Sequence, residues 1–210
     1  MKPKTPQEYL ENTEHAVRHF YAGLDSCWAV YRQALSHWDL SKAGELLTPE
    51  NKAKLDEYLK LAHQYFDLKF SEATFAGSIL QVAAMGIQYF SRNTVIPASC
   101  RDIVPKNHRA TRFCVGKELY GLPIGLIVYA ARNQYAHWDK EDLHEINRKI
   151  FQGLSLAHYA DPLRDLAYDL SNPTITIYAN EVLLGALKWT TYETYVAEVT
   201  ALLDEACSSK

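Results

Sequence analysis

Several features are scarce in this sequence, and each absence excludes a class of protein. The four cysteines, Cys27, Cys100, Cys114 and Cys207, lie far apart and form no Cys-x-x-Cys pair. They read as reduced, mostly buried thiols rather than a disulfide framework. Cys100-x7-His108-x5-Cys114 follows no common zinc spacing and lacks an obvious fourth ligand, so no metal is expected. The longest apolar run, Leu122 to Ala131, is too short to span a bilayer. The first twenty residues carry charges throughout and contain no apolar signal-peptide core, so the expected compartment is cytoplasmic, with no membrane partner. The net charge of −3 gives no bulk attraction for nucleic acid, so RNA contact would have to come from a local patch. There is no glycine-rich phosphate loop, no Ser/His/Asp set, no paired catalytic carboxylates, no internal repeat and no low-complexity tract. No cofactor is expected.

What is present is a 210-residue chain, 48% hydrophobic and 22% charged, enough for one sizeable core with a smaller appended unit. Thr5-Pro6-Gln7-Glu8 is a helix start with a capping-box pattern. Tyr9, Leu10, Val17, Phe20, Tyr21, Leu24, Trp28, Tyr31 and Leu35 then recur at helical steps, predicting a long helix that ends near Trp38. Its aromatic stripe, with Tyr65 and Phe66 of the next helix, reads as core. Thr48-Pro49-Glu50 repeats the start signal. The helix that follows either restarts at Ser71-Glu72-Ala73-Thr74 or runs straight on to Phe90, and Ser91-Arg92-Asn93 ends it.

Residues 94–120 lack periodicity and are interrupted by Pro97 and Pro105, which predicts a long loop. From Arg92 to Lys117 the chain carries Arg92, Arg101, Lys106, Arg109, Arg112 and Lys117 against Asp102 alone, the one concentrated basic segment. Further helices are expected from 142 to 159, after Asp161-Pro162 with Leu163, Leu166, Ala167 and Leu170 on its apolar side, from Asn180 to Trp189, and from Tyr192 to Cys207. Ile175 to Tyr178 alternates like a strand but is read as leading into a helix. No hairpin is expected. The fold class is all-α, an antiparallel helical bundle over 1–160 with a C-terminal helical extension over 161–210 packing on the same core.

The stretch Gly121 to Asp139, GLPIGLIVYAARNQYAHWD, stands apart. A helix apolar on most faces belongs in a core. This one turns polar at Arg132-Asn133-Gln134 and closes with His137-Trp138-Asp139, so its terminal Arg and His sit on a rigid element. Arg32 with His37 and Arg101 with His108 have similar spacings, but neither pair has the adjacent Asn or closes a buried helix. Along an ideal helix five residues turn about 500°, which leaves Arg132 and His137 roughly 140° apart. They converge only if the helix ends between them or if a second subunit supplies one of them.

The motif Arg132-Asn133-x3-His137 closing an apolar helix resembles the HEPN superfamily (higher eukaryotes and prokaryotes nucleotide-binding). The resemblance covers 48–159, with the N-terminal helix included, and finds no counterpart for the C-terminal third. It implies a small helical bundle that dimerises so that two Arg/His sets face one cleft. It also implies a metal-independent endoribonuclease, a toxin or phage-defence component, with RNA as substrate and an antitoxin as a possible partner. Arg132, Asn133 and His137 would then be catalytic: Arg132 would bind phosphate oxygens, Asn133 would orient it, and His137, of ordinary pKa ~6.5, would serve as acid or base. Arg101, Lys106, Arg109, Arg112 and Lys117 are the candidate RNA-binding residues. One departure concerns the toxin branch paired with nucleotidyltransferase antitoxins, which often has Tyr two residues after the His; here that residue is Asp139. Two other readings of the same residues stand beside this one. The first is a non-catalytic module binding RNA, nucleotide or a protein partner. The second is a structural cluster in which Arg and His interact with the helix C-terminus.

Overall fold

The computed structural model describes residues 2–37, 48–139, 143–156 and 164–208. Its helices are α1 (Pro6–His37), α2 (Pro49–Phe90), α3 (Ile124–Ala136), α4 (Glu145–Leu156) and α5 (Tyr192–Ser208). Two-residue strands β1 (Glu118–Leu119) and β2 (Leu122–Pro123) pair antiparallel before α3. Short 3-10 turns lie at Ala98–Cys100 and Arg109–Phe113, and a wide π-type turn at Glu181–Ala186. α1 packs along α2, α3 lies against α2, α4 against α3, and α5 closes on both α1 and α2. The chain is thus predominantly helical, and its core runs from Tyr9 through α3 to Ala206.

Both Thr-Pro start signals are used. Thr5 Oγ1 accepts the Glu8 N–H at 3.1 Å, and the Glu8 carboxylate reaches back to the Lys4 N–H at 2.7 Å. Thr48 Oγ1 accepts the Asn51 N–H at 3.3 Å, with Pro49 in the first turn. The possible restart at Ser71–Thr74 does not occur. Thr74 Oγ1 donates back to the Phe70 carbonyl and Ser78 Oγ to the Thr74 carbonyl, each at 2.8 Å, so these hydroxyls serve the helix interior instead of capping. α2 is therefore one 42-residue rod, about 63 Å long at the ideal rise. One 18-residue window of it has mean hydropathy 1.2, long and apolar enough by length and composition to cross a membrane; 56% of that window is buried inside the protein.

In the first half of α2 Leu61 alone is buried, and burial is continuous only from Glu72 on. That half and the end of α1 form an arm beyond the core. The aromatic stripe accordingly divides: Tyr9 and Tyr21 are core, whereas Tyr31 and Phe66 are exposed. Glu72, 1% exposed, ties the base of the arm together. It accepts the Trp28 indole N–H at 2.5 Å, pairs with Lys69 at 2.9 Å, and receives the Tyr65 hydroxyl.

Residues 94–120 form the expected long loop, broken by two 3-10 turns, and it is packed onto the core. Cys100 and Val104 enter the core singly, and Ala110 and Phe113 to Val115 in a short irregular cluster, without a repeating period. A hairpin does exist, turning through Tyr120 and Gly121, both at positive φ, but its strands are too short to alternate. The helix expected after Asp161-Pro162 begins outside the described residues, and from 164 to 170 the chain forms turns. Asp165, Asp169 and Asn172 each accept the backbone N–H two residues on, a local bond that competes with the helix. The helix expected to end at Trp189 stops earlier, since Lys188 is at positive φ. The expected end near Trp38 lies at the edge of the described residues, and the 160/161 boundary falls outside them.

Candidate functional site

α3 is as buried as its composition requires: Ile124 to Ala131 are buried without exception. Its first N–H groups are satisfied by the hairpin segment, Ile124 to the Lys117 carbonyl at 3.0 Å and Gly125 to the Val115 carbonyl at 3.1 Å. Glycine is required at 125, because a Cβ there would sit 2.5 Å from the Phe113 carbonyl oxygen. That close approach brings the 109–113 turn against the helix.

At the other end of α3 four side-chain amides organise the polar residues. Arg132 is half-buried. Its Nε donates to Gln81 Oε1 at 2.6 Å, across to α2, and its Nη1 to Asn133 Oδ1 at 2.9 Å. Asn133, 4% exposed, donates through Nδ2 to Asn147 Oδ1 of α4 at 3.4 Å. Among the described residues Arg132 makes no ion pair, so neutral acceptors fix its fork while its charge stays uncompensated and Nη2 stays free. Gln134 faces the opposite way. Its Nε2 donates to the Thr176 carbonyl at 2.8 Å, and its Oε1 accepts the Tyr178 N–H at 2.9 Å.

The helix ends at Ala136. His137 leaves it with φ −136°, its N–H donating to the Gln134 carbonyl at 3.3 Å and its side chain exposed. His137 lines a hollow of about 440 Å³ with Trp138, Arg148, Asn172 and Tyr178. Arg132 lines a different cavity, of about 620 Å³, between α2, the 107–113 segment and α3. One chain therefore does not bring Arg132 and His137 into one pocket, in keeping with the wide angle between them on the helix.

The basic segment divides three ways. Arg109 and Arg112 line the cavity of Arg132. Arg101 and Lys106 line a neighbouring hollow of about 570 Å³ that shares Thr94 and Asn107 with it. Lys117 is elsewhere, paired with Glu198 of α5 at 2.7 Å. Asn93, 7% exposed, holds the segment in place. Its Nδ2 donates to the Val95 and Thr111 carbonyls at 2.8 Å and to the Cys114 carbonyl at 3.2 Å. Ser91 Oγ donates to the Arg112 carbonyl at 2.7 Å, and Arg112 Nη1 to the Gln88 carbonyl at 3.3 Å.

His108 caps the 109–113 turn. Its Nδ1 accepts the Ala110 N–H at 3.1 Å, which leaves the proton of the neutral ring on Nε2. Burial, and then the nearby Arg109 charge, hold its pKa below the usual histidine value. Burial pushes the Cys114 thiol up to about 12 and raises Cys100 as well, so neither is a ready thiolate. Thr111 also lines the cavity; it is 7% exposed, and its Oγ1 has no hydrogen-bond partner among the described residues.

Gln81, Asn93, Thr111, Gln134 and Asn147 are the site residues that the sequence reading left without a role. Their neighbours in the chain give little signal: apart from the Asn93–Val95 bond, their side-chain partners lie between 14 and 51 residues away, and the Thr111 hydroxyl has none among the described residues. No family model matches the chain, and neither the curated proteins nor the solved structures contain a match.

Proposed function

We propose that the protein is a cytoplasmic, metal-independent endoribonuclease of HEPN type, a toxin or phage-defence component that acts on RNA as a two-fold homodimer. The observation that carries this is the state of Arg132, a guanidinium with no ion pair among the described residues, held by Gln81 and Asn133 at the exit of the most buried helix. Such a group meets a phosphate without reorganising. His137 stands where the helix has ended, exposed and open to a second copy. Beside it Trp138 packs edge-on against Phe70 at 6.1 Å, and Phe66, Phe70 and Trp138 are all exposed, an apolar surface suited to contact between copies.

In that dimer His137 of one copy takes the proton of the ribose 2′-OH as its oxygen attacks phosphorus. The P–O5′ bond breaks, and His137 of the other copy protonates the leaving oxygen. Arg132 neutralises charge on the phosphorane, and Asn133 keeps Arg132 in register. An antitoxin partner would act by covering this face.

A second reading is favoured by one observation, the separate hollows of Arg132 and His137. It is a non-catalytic HEPN module that binds RNA, nucleotide or a protein partner. Incubating the protein with RNA in EDTA separates the two. The nuclease reading expects fragments ending in 2′,3′-cyclic phosphate and a loss of about 10²-fold or more in His137→Ala. Binding without cleavage supports the module; cleavage by His137→Ala at the wild-type rate refutes the catalytic assignment.

A further inference from the structure

The hollow around His137 holds a cation to which the nuclease reading gives no role. Arg148 of α4 lines it together with His137, and among the described residues no carboxylate does. Arg132 lines the other cavity. Within one chain, therefore, the guanidinium that shares a hollow with His137 is that of Arg148. Arg132 meets His137 only across a subunit interface, whereas Arg148 needs no second copy to do so.

The fold sets Arg148 in this place. α4 packs on α3 with Ile146, Asn147 and Ile150 buried. Asn147 accepts the Asn133 amide at 3.4 Å, which fixes the register of α4 against the exit of α3. Adjacent residues of α4 thus serve the two separate regions. Asn147 meets the clamp on Arg132, and Arg148, about 100° further round the helix, reaches the hollow of His137. Arg148 Nη2 donates to the Leu143 carbonyl at 3.3 Å, so the side chain folds back over the first turn of α4 to a residue that also lines the hollow. Glu145, the carboxylate on that turn, bonds Lys149 at 2.9 Å. A guanidinium on a packed helix is a planar fork suited to two oxygens of one phosphate. About 440 Å³ is within the usual range for a small ligand and admits a phosphodiester with its adjoining ribose.

We infer that Arg148 is a further catalytic residue of the proposed cleavage. Its guanidinium binds the non-bridging oxygens of the phosphodiester whose 2′-OH meets His137 of the same chain. As the O2′–P bond forms and the P–O5′ bond breaks, charge grows on those oxygens, and Arg148 is placed to offset it beside the proton transfer. No bond to Arg148 itself forms or breaks. Arg132 then approaches the same phosphate from the second copy. The chemical step rests on the nuclease reading; the placement of the phosphodiester rests on the hollow of His137 alone.

Two measurements on the full chain test this. The first is RNA cleavage in EDTA. Arg148→Gln should lower kcat/KM about 10²-fold or more, mainly through kcat. Arg148→Lys should fall between it and wild type, because it keeps the charge and loses the fork. Arg18→Gln on α1 removes the same charge outside both cavities and should cleave as wild type does. The second is the NMR signal of the His137 ring, identified by its loss in His137→Ala, during titration with a uridine–adenosine dinucleotide methylated on the attacking 2′ oxygen. The signal should move in wild type and stay still in Arg148→Gln. Arg148 is exposed, so its variants are expected to fold; melting curves check this, and Arg148→Lys carries both measurements should Arg148→Gln unfold. A folded Arg148→Gln that cleaves at the wild-type rate overturns the inference and leaves the nuclease reading standing. If the wild type cleaves no RNA, the nuclease reading falls and the titration decides the placement. A His137 signal that moves in wild type alone upholds it, and one that moves alike in both proteins, or in neither, overturns it.

Discussion

Gln134 is the sharpest place to test how the end of α3 is held. The substitution Gln134→Met keeps the side chain's length and apolar stem but removes both amide groups. In the native protein those groups form a two-point bridge to the backbone at Thr176 and Tyr178. The two losses are unequal. Thr176 is exposed, so water can take over its carbonyl. Tyr178 is 2% exposed, and its N–H would be left without an acceptor. An orphaned buried N–H costs about 1–3 kcal/mol, and Met opens no large void, so the expected loss is about 2 kcal/mol. For a chain of this size that lowers Tm by about 4–8 °C. Thermal unfolding followed by circular dichroism gives the shift, and amide exchange at Tyr178 should quicken well beyond that of α5. Tyr178 also lines the hollow of His137, so under the proposed nuclease reading the same change should slow RNA cleavage. A Tm unchanged within a degree, with Tyr178 equally protected, would show that the bridge is incidental.

The remaining predictions concern the neighbouring cavity. The His108 pKa lies below its ordinary value in the folded chain, so on acidification the unfolded chain takes up this proton first. The contribution of His108 to stability is therefore complete above about pH 6.5 and is lost as the pH falls through the folded pKa. Tm measured between pH 7 and 5 should fall less steeply in His108→Gln than in wild type, and identical slopes would contradict this. Gly125→Ala places a methyl group against the Phe113 carbonyl and should lower the denaturant midpoint by the equivalent of about 1–3 kcal/mol; an unchanged midpoint would mean that the turn yields freely.

What could be read directly from the sequence was local. Thr5-Pro6 and Thr48-Pro49 cap their helices because the capping bond spans only three residues. The burial of α3 follows from its unbroken apolar composition. Asn133 orients Arg132 because the two are adjacent on the helix. What was not legible depends on distant partners. Nothing in the run of α2 marks Gln81 as the acceptor for Arg132, 51 residues on. A count of basic residues groups Lys117 with Arg112, whereas Glu198 draws Lys117 away to α5. Residues 94–120 read as a loop and are one, but their packing was not legible, because their buried residues follow no period. Asn93, which ties them down through three carbonyls, looks in the sequence like a helix stop.

The neutral clamp on Arg132 has a consequence for how the chain tolerates change. A buried arginine paired with a carboxylate cannot be removed without stranding its partner's charge. Gln81 and Asn133 would be left with only uncharged acceptors to satisfy. Losing Arg132 would therefore strand no charge among the described residues, and its retention in a lineage would measure the use to which the guanidinium is put.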